Sequence, residues 1–216
     1  MALIFLDGFE QYKDYNDLLA GASQTPIPST SSGRWRSTNT GSNGPVISTA
    51  VFGTTQPSGV SKSMYLNWWQ SFACLDLGDY RSELYIGFAL QYATTPNATA
   101  LLTLSQTPDI YNPSSGILIR KNTDLSLSVE SISPSQTLFT TAANVISLNS
   151  FYYIELKAVF NTSGSVELRV DGVTRGSYSG DTRGGLSNQS GYQYVTRVAE
   201  SPPDTPMYID DIYVCD

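Results

Sequence analysis

The chain has 216 residues, a formal net charge of −7 and only 14% charged residues, well under the usual quarter. An acidic balance without a basic stripe argues against nucleic-acid binding and against attraction to anionic membranes. Histidine is absent, which excludes Ser-His-Asp and Cys-His catalysis and every histidine-ligated metal site.

Ser, Thr, Asn, Gly and Pro take the place of the missing charges, alongside 14 Tyr and 8 Phe. This is the profile of a loop-rich β-protein with a neutral polar surface, and the length suits one sandwich domain spanning 1–216. The two cysteines, Cys74 and Cys215, make no disulfide framework, and Cys74 in its apolar stretch reads as a buried thiol. Met1 to Asp7 lacks a basic start and breaks its apolar run at Asp7, so no signal peptide is expected. No stretch is long and apolar enough to span a bilayer as a helix. The expectation is a self-standing domain made in a cytoplasm.

In chain order, Leu3 to Asp7 reads as the first strand, and Asn16 to Ala20 as one helical turn. A Gly/Pro/Ser/Thr-rich stretch near 21–63 reads as a long loop. Asp76-Leu77-Gly78-Asp79 looks like a turn. Leu84, Ile86, Phe88 and Leu90 then alternate with Tyr85, Gly87 and Ala89, the period-two pattern of a strand. Further strands are expected over 99–105, 117–120 and 125–130, the last two joined by a turn at Lys121 to Asp124. The clearest hairpin runs from Tyr152 to Val170. Tyr152, Ile154, Leu156, Ala158 and Phe160, then Val166, Leu168 and Val170, face inward, and Glu155, Lys157, Glu167 and Arg169 face outward in reach of cross-strand pairing. Asn161 to Gly164 supplies its turn, with Gly164 read as a positive-φ glycine. Asp171-Gly172 marks the next hairpin. A second long loop is expected near 176–206, before the closing strand Tyr208 to Asp216. Many short strands with such turns predict an antiparallel sandwich or jelly roll, and the long loops are where function is expected.

Asp210 and Asp211 are adjacent, so on a regular strand one carboxylate faces each way and one is driven toward the core. Two readings stand for Asp7, Asp210 and Asp211. One is a calcium site built from terminal-strand oxygens. The other, preferred, is a structural role in which carboxylates accept backbone N–H bonds or pair with arginine. Trp35, Trp68 and Trp69 are candidates for a sugar-stacking or partner-binding surface, against a core role. Tyr192 and Tyr194, in a Gly/Ser/Asn/Gln-rich stretch, are candidate adaptable contacts. A retaining glycosidase needs two carboxylates about 5 Å apart on one face. No window here supplies an unencumbered pair, because Glu155 and Glu167 each have a basic neighbour two residues on.

The start LDGFEQY, the segment FYYIELKAVFNTSGSVELRVDGV and the end MYIDDIYVCD resemble the concanavalin A-like (laminin-G-like) jelly-roll proteins of tailed-phage virions. The matching positions are Asp7, Gly8, Phe9 and Tyr12, then Glu155, Val159, Gly164, Val166, Asp171 and Gly172, then Ile209 to Val214. The likeness covers the two ends; the middle matches only in strand rhythm. Relatives with laminarinase activity carry a Glu-x-Asp-x-x-Glu or Glu-x-Asp-x-Glu strand, which this sequence lacks. The resemblance implies an all-β, concanavalin A-like β-sandwich of two antiparallel sheets. It implies a non-enzymatic virion protein, foremost a capsid decoration or cement protein that binds the outer head surface, assembled in the host cytoplasm. Its partners would be the major capsid protein and neighbouring copies of itself, with no cofactor beyond the calcium candidate. The alternative is a tail- or fibre-associated, lectin-like adhesin for host surface glycans. A divergent glycan hydrolase is the third reading.

Overall fold

Every regular element among the described residues is a β-strand. The structure is a computed structural model that describes residues 2–7, 35–36, 46–48, 63–66, 74–94, 97–106, 115–185, 191–196 and 207–216. The strands are β1 (Leu3–Asp7), β2 (Trp35–Arg36), β3 (Val46–Ser48), β4 (Ser63–Leu66), β5 (Cys74–Arg81), β6 (Glu83–Tyr92), β7 (Thr99–Ser105) and β8 (Ile117–Lys121). They continue with β9 (Leu127–Ser131), β10 (Gln136–Thr140), β11 (Phe151–Val159), β12 (Gly164–Val170), β13 (Val173–Gly180), β14 (Tyr192–Thr196) and β15 (Met207–Cys215). One sheet runs β13-β12-β11-β6-β15-β4-β3, with β1 also beside β15; the other runs β10-β9-β8-β7-β14-β5-β2. Strand pairing is antiparallel throughout. The expected all-β sandwich of two antiparallel sheets is therefore the observed fold.

The core lies between the sheets. Ile86, Phe88, Leu90, Ile154, Leu156 and Leu168 from the first sheet share one cluster with Leu104, Ile117, Ile119, Leu127 and Val129 from the second. Each such side chain contributes about 1.5–3 kcal/mol when fully buried. The alternation read in the Tyr152 to Val170 hairpin is the observed one, with Ile154, Leu156, Ala158, Val166 and Leu168 buried. Asp171 and Gly172 form the next turn, between β12 and β13, with φ of 52° and 75°, the geometry of a two-residue hairpin loop.

The terminal strands pair, as Leu3 to Asp7 lies along β15 from Cys215 to Ile212. The preceding part of β15, Met207 to Ile209, lies along β4 instead. Between these halves the register with β6 slips, because Asp210 faces Ala89 while Tyr213 faces Gly87. This is a β-bulge. Asp211 takes a φ of 47°. Its displaced N–H donates to Asp210 Oδ1 at 2.9 Å and its carbonyl accepts from the Tyr153 hydroxyl at 3.1 Å.

Several expectations are corrected. The 176–206 segment carries the end of β13 and all of β14, and 21–63 carries β2, β3 and the first residue of β4. Asp76 to Asp79 lies within β5; Gly78 has a φ of 80°, and Asp76 Oδ1 accepts its N–H at 2.9 Å. The strand expected from Leu125 begins at Leu127, since Leu125 sits in the preceding turn at a φ of 60°. Ser128 is buried although it alternates with the apolar Leu127 and Val129. Gly164 is required for close approach rather than for positive φ: an added Cβ would meet Val159 O and Thr182 Oγ1, each at 2.2 Å. The helical turn at 16–20 falls outside the described residues.

At one side of the sandwich the edge strands β10 and β13 meet, with the Phe139 ring lying where a side chain at Gly176 would project. Both edges are also bulged, at Leu138 and at Arg175. Bulges spoil an edge as a template for further strands.

Candidate functional site

The outward side chains of β12, β11, β6 and β15 form one continuous polar and aromatic face. The register arranges them in rows. Arg169, Glu155, Gly87 and Tyr213 lie side by side across the four strands, and Glu167, Lys157, Tyr85 and Cys215 form the next row. Gly87 lacks a side chain because the Tyr213 ring covers it; an added Cβ would lie 2.2 Å from Tyr213 Cε1. The Tyr213 ring also stacks beside Tyr153, with centroids 6.3 Å apart.

Charges on this face are closed on one another. Glu167 accepts from Arg169 Nε and from Thr174 Oγ1, both at 2.7 Å. Glu83 accepts from the Tyr85 hydroxyl at 2.8 Å, and Lys157 Nζ lies 3.0 Å from the same carboxylate oxygen. Lys157 also sits over the Tyr85 ring, 4.9 Å from its centroid. The Tyr213 hydroxyl donates to Glu155 Oε1 at 3.0 Å. The sequence suggested ion pairs across β11 and β12. The structure instead pairs Arg169 with Glu167 along β12, and Lys157 with Glu83 on β6.

These contacts set the titration of the face. The Tyr85 hydroxyl and then Lys157 hold Glu83 below its ordinary pKa. Thr174 and then Arg169 hold Glu167 down, and hydrogen bonding to Tyr85 and Glu83 raises Lys157. Burial, followed by the bond to Glu155, pushes Tyr213 up to about 12, and burial also raises Tyr153. A tyrosine acting as a general base needs the opposite shift. A shallow cavity of about 60 Å³ opens between Tyr85, Glu155, Lys157, Glu167, Arg169 and Tyr213. Chemically, the face offers paired charges, hydroxyls and ring surfaces for contact.

The residues singled out from sequence fall elsewhere. Tyr192 is fully buried, edge-on to Phe160 at 5.1 Å, and its hydroxyl donates to Thr182 O at 2.6 Å. It is therefore a core residue rather than a contact residue; its polar neighbours in sequence hid this. Tyr194 pairs through its backbone with Asp76 and Ser105, and Trp35 with Leu75, but their side chains lie outside the described residues. Trp68 and Trp69 lie outside them entirely. Asp7 pairs with Ile212 through its backbone, and its side chain too is outside the described set. Asp210 is buried and Asp211 half-buried, and both serve the bulge. Among the described residues no three acidic or thiol side chains converge as a metal site would require. Tyr85, Gly87 and Tyr213 were not picked out from sequence. Gly87 was the available signal, since a glycine inside a strand marks close approach by another group.

No family model matches the chain, and no curated protein does. Solved structures match in fold. An endo-β-1,4-glucuronan lyase from the fungus Trichoderma reesei aligns with a TM-score of 0.57 at 13% identity, over 86% of this chain and 91% of the lyase. Cip1, a cellulose-induced protein, aligns with a TM-score of 0.55 at 15% identity, over 79% and 84%. A botulinum neurotoxin serotype D binding domain aligns with a TM-score of 0.51 at 11% identity, over 75% of this chain. The chain spans about two fifths of that domain's length. At these identities the likeness is one of β-sandwich, jelly-roll-like architecture.

Proposed function

We propose that the chain is a non-enzymatic structural protein of a tailed-phage virion, a concanavalin A-like decoration or cement protein on the outer head surface. The observation that carries this reading is the broad outer face of the first sheet, whose carboxylates are closed on its own cations and hydroxyls. A face with internally paired charges and half-buried rings suits packing against a shell and against neighbouring copies. Many such modest contacts add up to durable attachment. The resemblance of the terminal strands and the Tyr152 to Gly172 hairpin to virion jelly rolls supports the same reading. So do bulged edge strands, which discourage open-ended strand addition between copies. Capsid contacts are also expected from the 21–63 and 176–206 segments.

Purified DNA-filled and empty heads test the reading by quantitative protein composition and cryo-microscopy. High copy number on the shell is expected. Absence from heads overturns it, and presence on tails alone would replace it with the adhesin reading. Because a glucuronan lyase shares the fold, polyglucuronate is the substrate to challenge the non-enzymatic part. Cleavage by the purified chain, abolished by a single substitution at Tyr213 or Lys157, overturns that part.

A further inference from the structure

A second cavity, of about 300 Å³, lies at the rim of the sandwich, between the β9–β10 connection and the segment that leaves β13. That volume is at the lower end for small-molecule pockets. Its lining includes Ser133, Gln136, Tyr178, Asp181, Arg183 and Gly185. Two of its lining positions, Gly184 and Gly185, offer only backbone. Gly184 and Gly185 have φ of 61° and 87°; a Cβ at Gly184 would lie 2.2 Å from Gly116 O, and one at Gly185 2.5 Å from Ser133 Cβ. A hydrogen bond from Gly116 N to Gly184 O at 2.9 Å fixes this backbone. Only glycine combines that backbone with that proximity.

On one wall, Asp181 and Arg183 form a fork. Arg183 Nε donates to Asp181 Oδ1 at 2.9 Å and Nη2 to Oδ2 at 2.6 Å, while the Arg183 backbone N–H donates to Oδ1 at 3.0 Å. The guanidinium still has N–H groups to offer and the carboxylate still has lone pairs. Tyr178 adds ring surface, and its hydroxyl sits against Gly180, where a Cβ would come within 2.4 Å. Gln136 and Ser133 add neutral donors and acceptors. The fork is charge-neutral, so neither an anion nor a cation gains a net electrostatic advantage. Adjacent donors and acceptors suit vicinal hydroxyls, and the ring suits a C–H face.

We infer that this rim cavity is a saccharide pocket that takes a single neutral pyranose unit. The pocket is separate from the outer face of the first sheet and does not depend on where in a particle the chain sits.

Saturation-transfer NMR on the purified full chain tests this. Probes are glucose, galactose, mannose and N-acetylglucosamine, with methyl phosphate and glucuronate as charged controls, at concentrations up to about 10 mM, where weak sugar binding registers. At least one neutral sugar is expected to receive transfer, exceeding both charged controls. Arg183→Ala and Gln136→Ala are expected to weaken it about tenfold, the loss of one good polar contact. Both positions are at the surface, so these variants should fold, and Tyr178→Ala is added if its melt is intact. Three results overturn the inference: no neutral sugar registers, a charged control alone registers, or transfer is unchanged in Arg183→Ala and Gln136→Ala.

Discussion

Replacing Gly87 by Ala tests the outer face at its tightest point. The added methyl would lie 2.2, 2.6 and 2.9 Å from Tyr213 Cε1, Cζ and Cδ1, where ordinary carbon contacts are about 3.5–4.0 Å. The ring must therefore move. Moving strains the 3.0 Å bond from its hydroxyl to Glu155 and its stacking beside Tyr153. Overpacking of this kind costs about 1–3 kcal/mol, and a lost hydrogen bond about 0.5–1.5. Against this, alanine in a strand is favoured over glycine by about 0.5–1 kcal/mol. The net expectation is a loss of about 2 kcal/mol. In a domain of this size each kcal/mol shifts Tm by about 2–4 °C, so Gly87→Ala should melt about 4–8 °C lower. Tyr213→Ala removes the obstacle, and in that background Gly87→Ala should be neutral or mildly stabilising. Urea midpoints of the four proteins in this cycle give the coupling directly. The reasoning fails if Gly87→Ala alone raises the midpoint, or if its cost is the same with and without Tyr213.

Four further predictions concern buried charge and the β15 bulge. Asp210→Ala strips the acceptor from the Asp211 N–H and should lower stability by about 1–3 kcal/mol. Asp211→Gly, at a φ of 47°, should be neutral or stabilising by up to about 1 kcal/mol; the opposite order in urea unfolding would contradict the bulge assignment. Burial raises the Asp211 carboxyl above its ordinary 3.8, so wild-type stability is fully present below that value and declines as pH rises through the folded value. Asp211→Asn should therefore match the wild type in strong acid and exceed it at neutrality, and a constant offset across the pH series would refute the titration argument. Lys121 is fully buried against the Tyr92 ring, and desolvation lowers its pKa from 10.5. The matching stability is complete above 10.5 and lost as pH falls through the folded value. Wild type should thus gain on Lys121→Met as pH rises from neutrality toward 10.5, and parallel curves would count against it.

What could be read in advance was whatever the local pattern determines. The β11–β12–β13 run was legible because Ile154, Leu156 and Ala158 alternate with charged residues, and Asn161 to Gly164 and Asp171-Gly172 are turn signals at its two bends. Asp76 to Asp79 was misread because residues that make bulges also make turns; Gly78 needs its positive φ inside β5. Leu125 misled in the other direction, continuing an apolar alternation from a turn position. Tyr192 was hidden by Gly, Ser, Asn and Gln neighbours, although burial follows from its place between sheets rather than from its neighbours in sequence. The outer face could not be anticipated, because it depends on β6 lying between β11 and β15. Nothing local specifies that order.

The Asp210-Asp211 pair ties the fold to that face. Met207 and Ile209 are buried before the bulge, and Ile212 and Val214 after it, so the inward phase of β15 changes by one residue between them. Strand geometry alternates strictly, so a continuous strand that buried Met207 and Ile209 would also turn Asp211 and Tyr213 inward and leave Ile212 and Val214 outside. One extra residue, held by the Asp210 carboxylate and the Tyr153 hydroxyl, keeps both apolar pairs in the core and delivers Tyr213 to the outer surface over Gly87. The residues that carry the resemblance at the chain's end thus do more than close the sandwich. By setting the phase of β15 they decide which side chains the outer face presents, and Tyr213 reaches Glu155 only because the bulge is there.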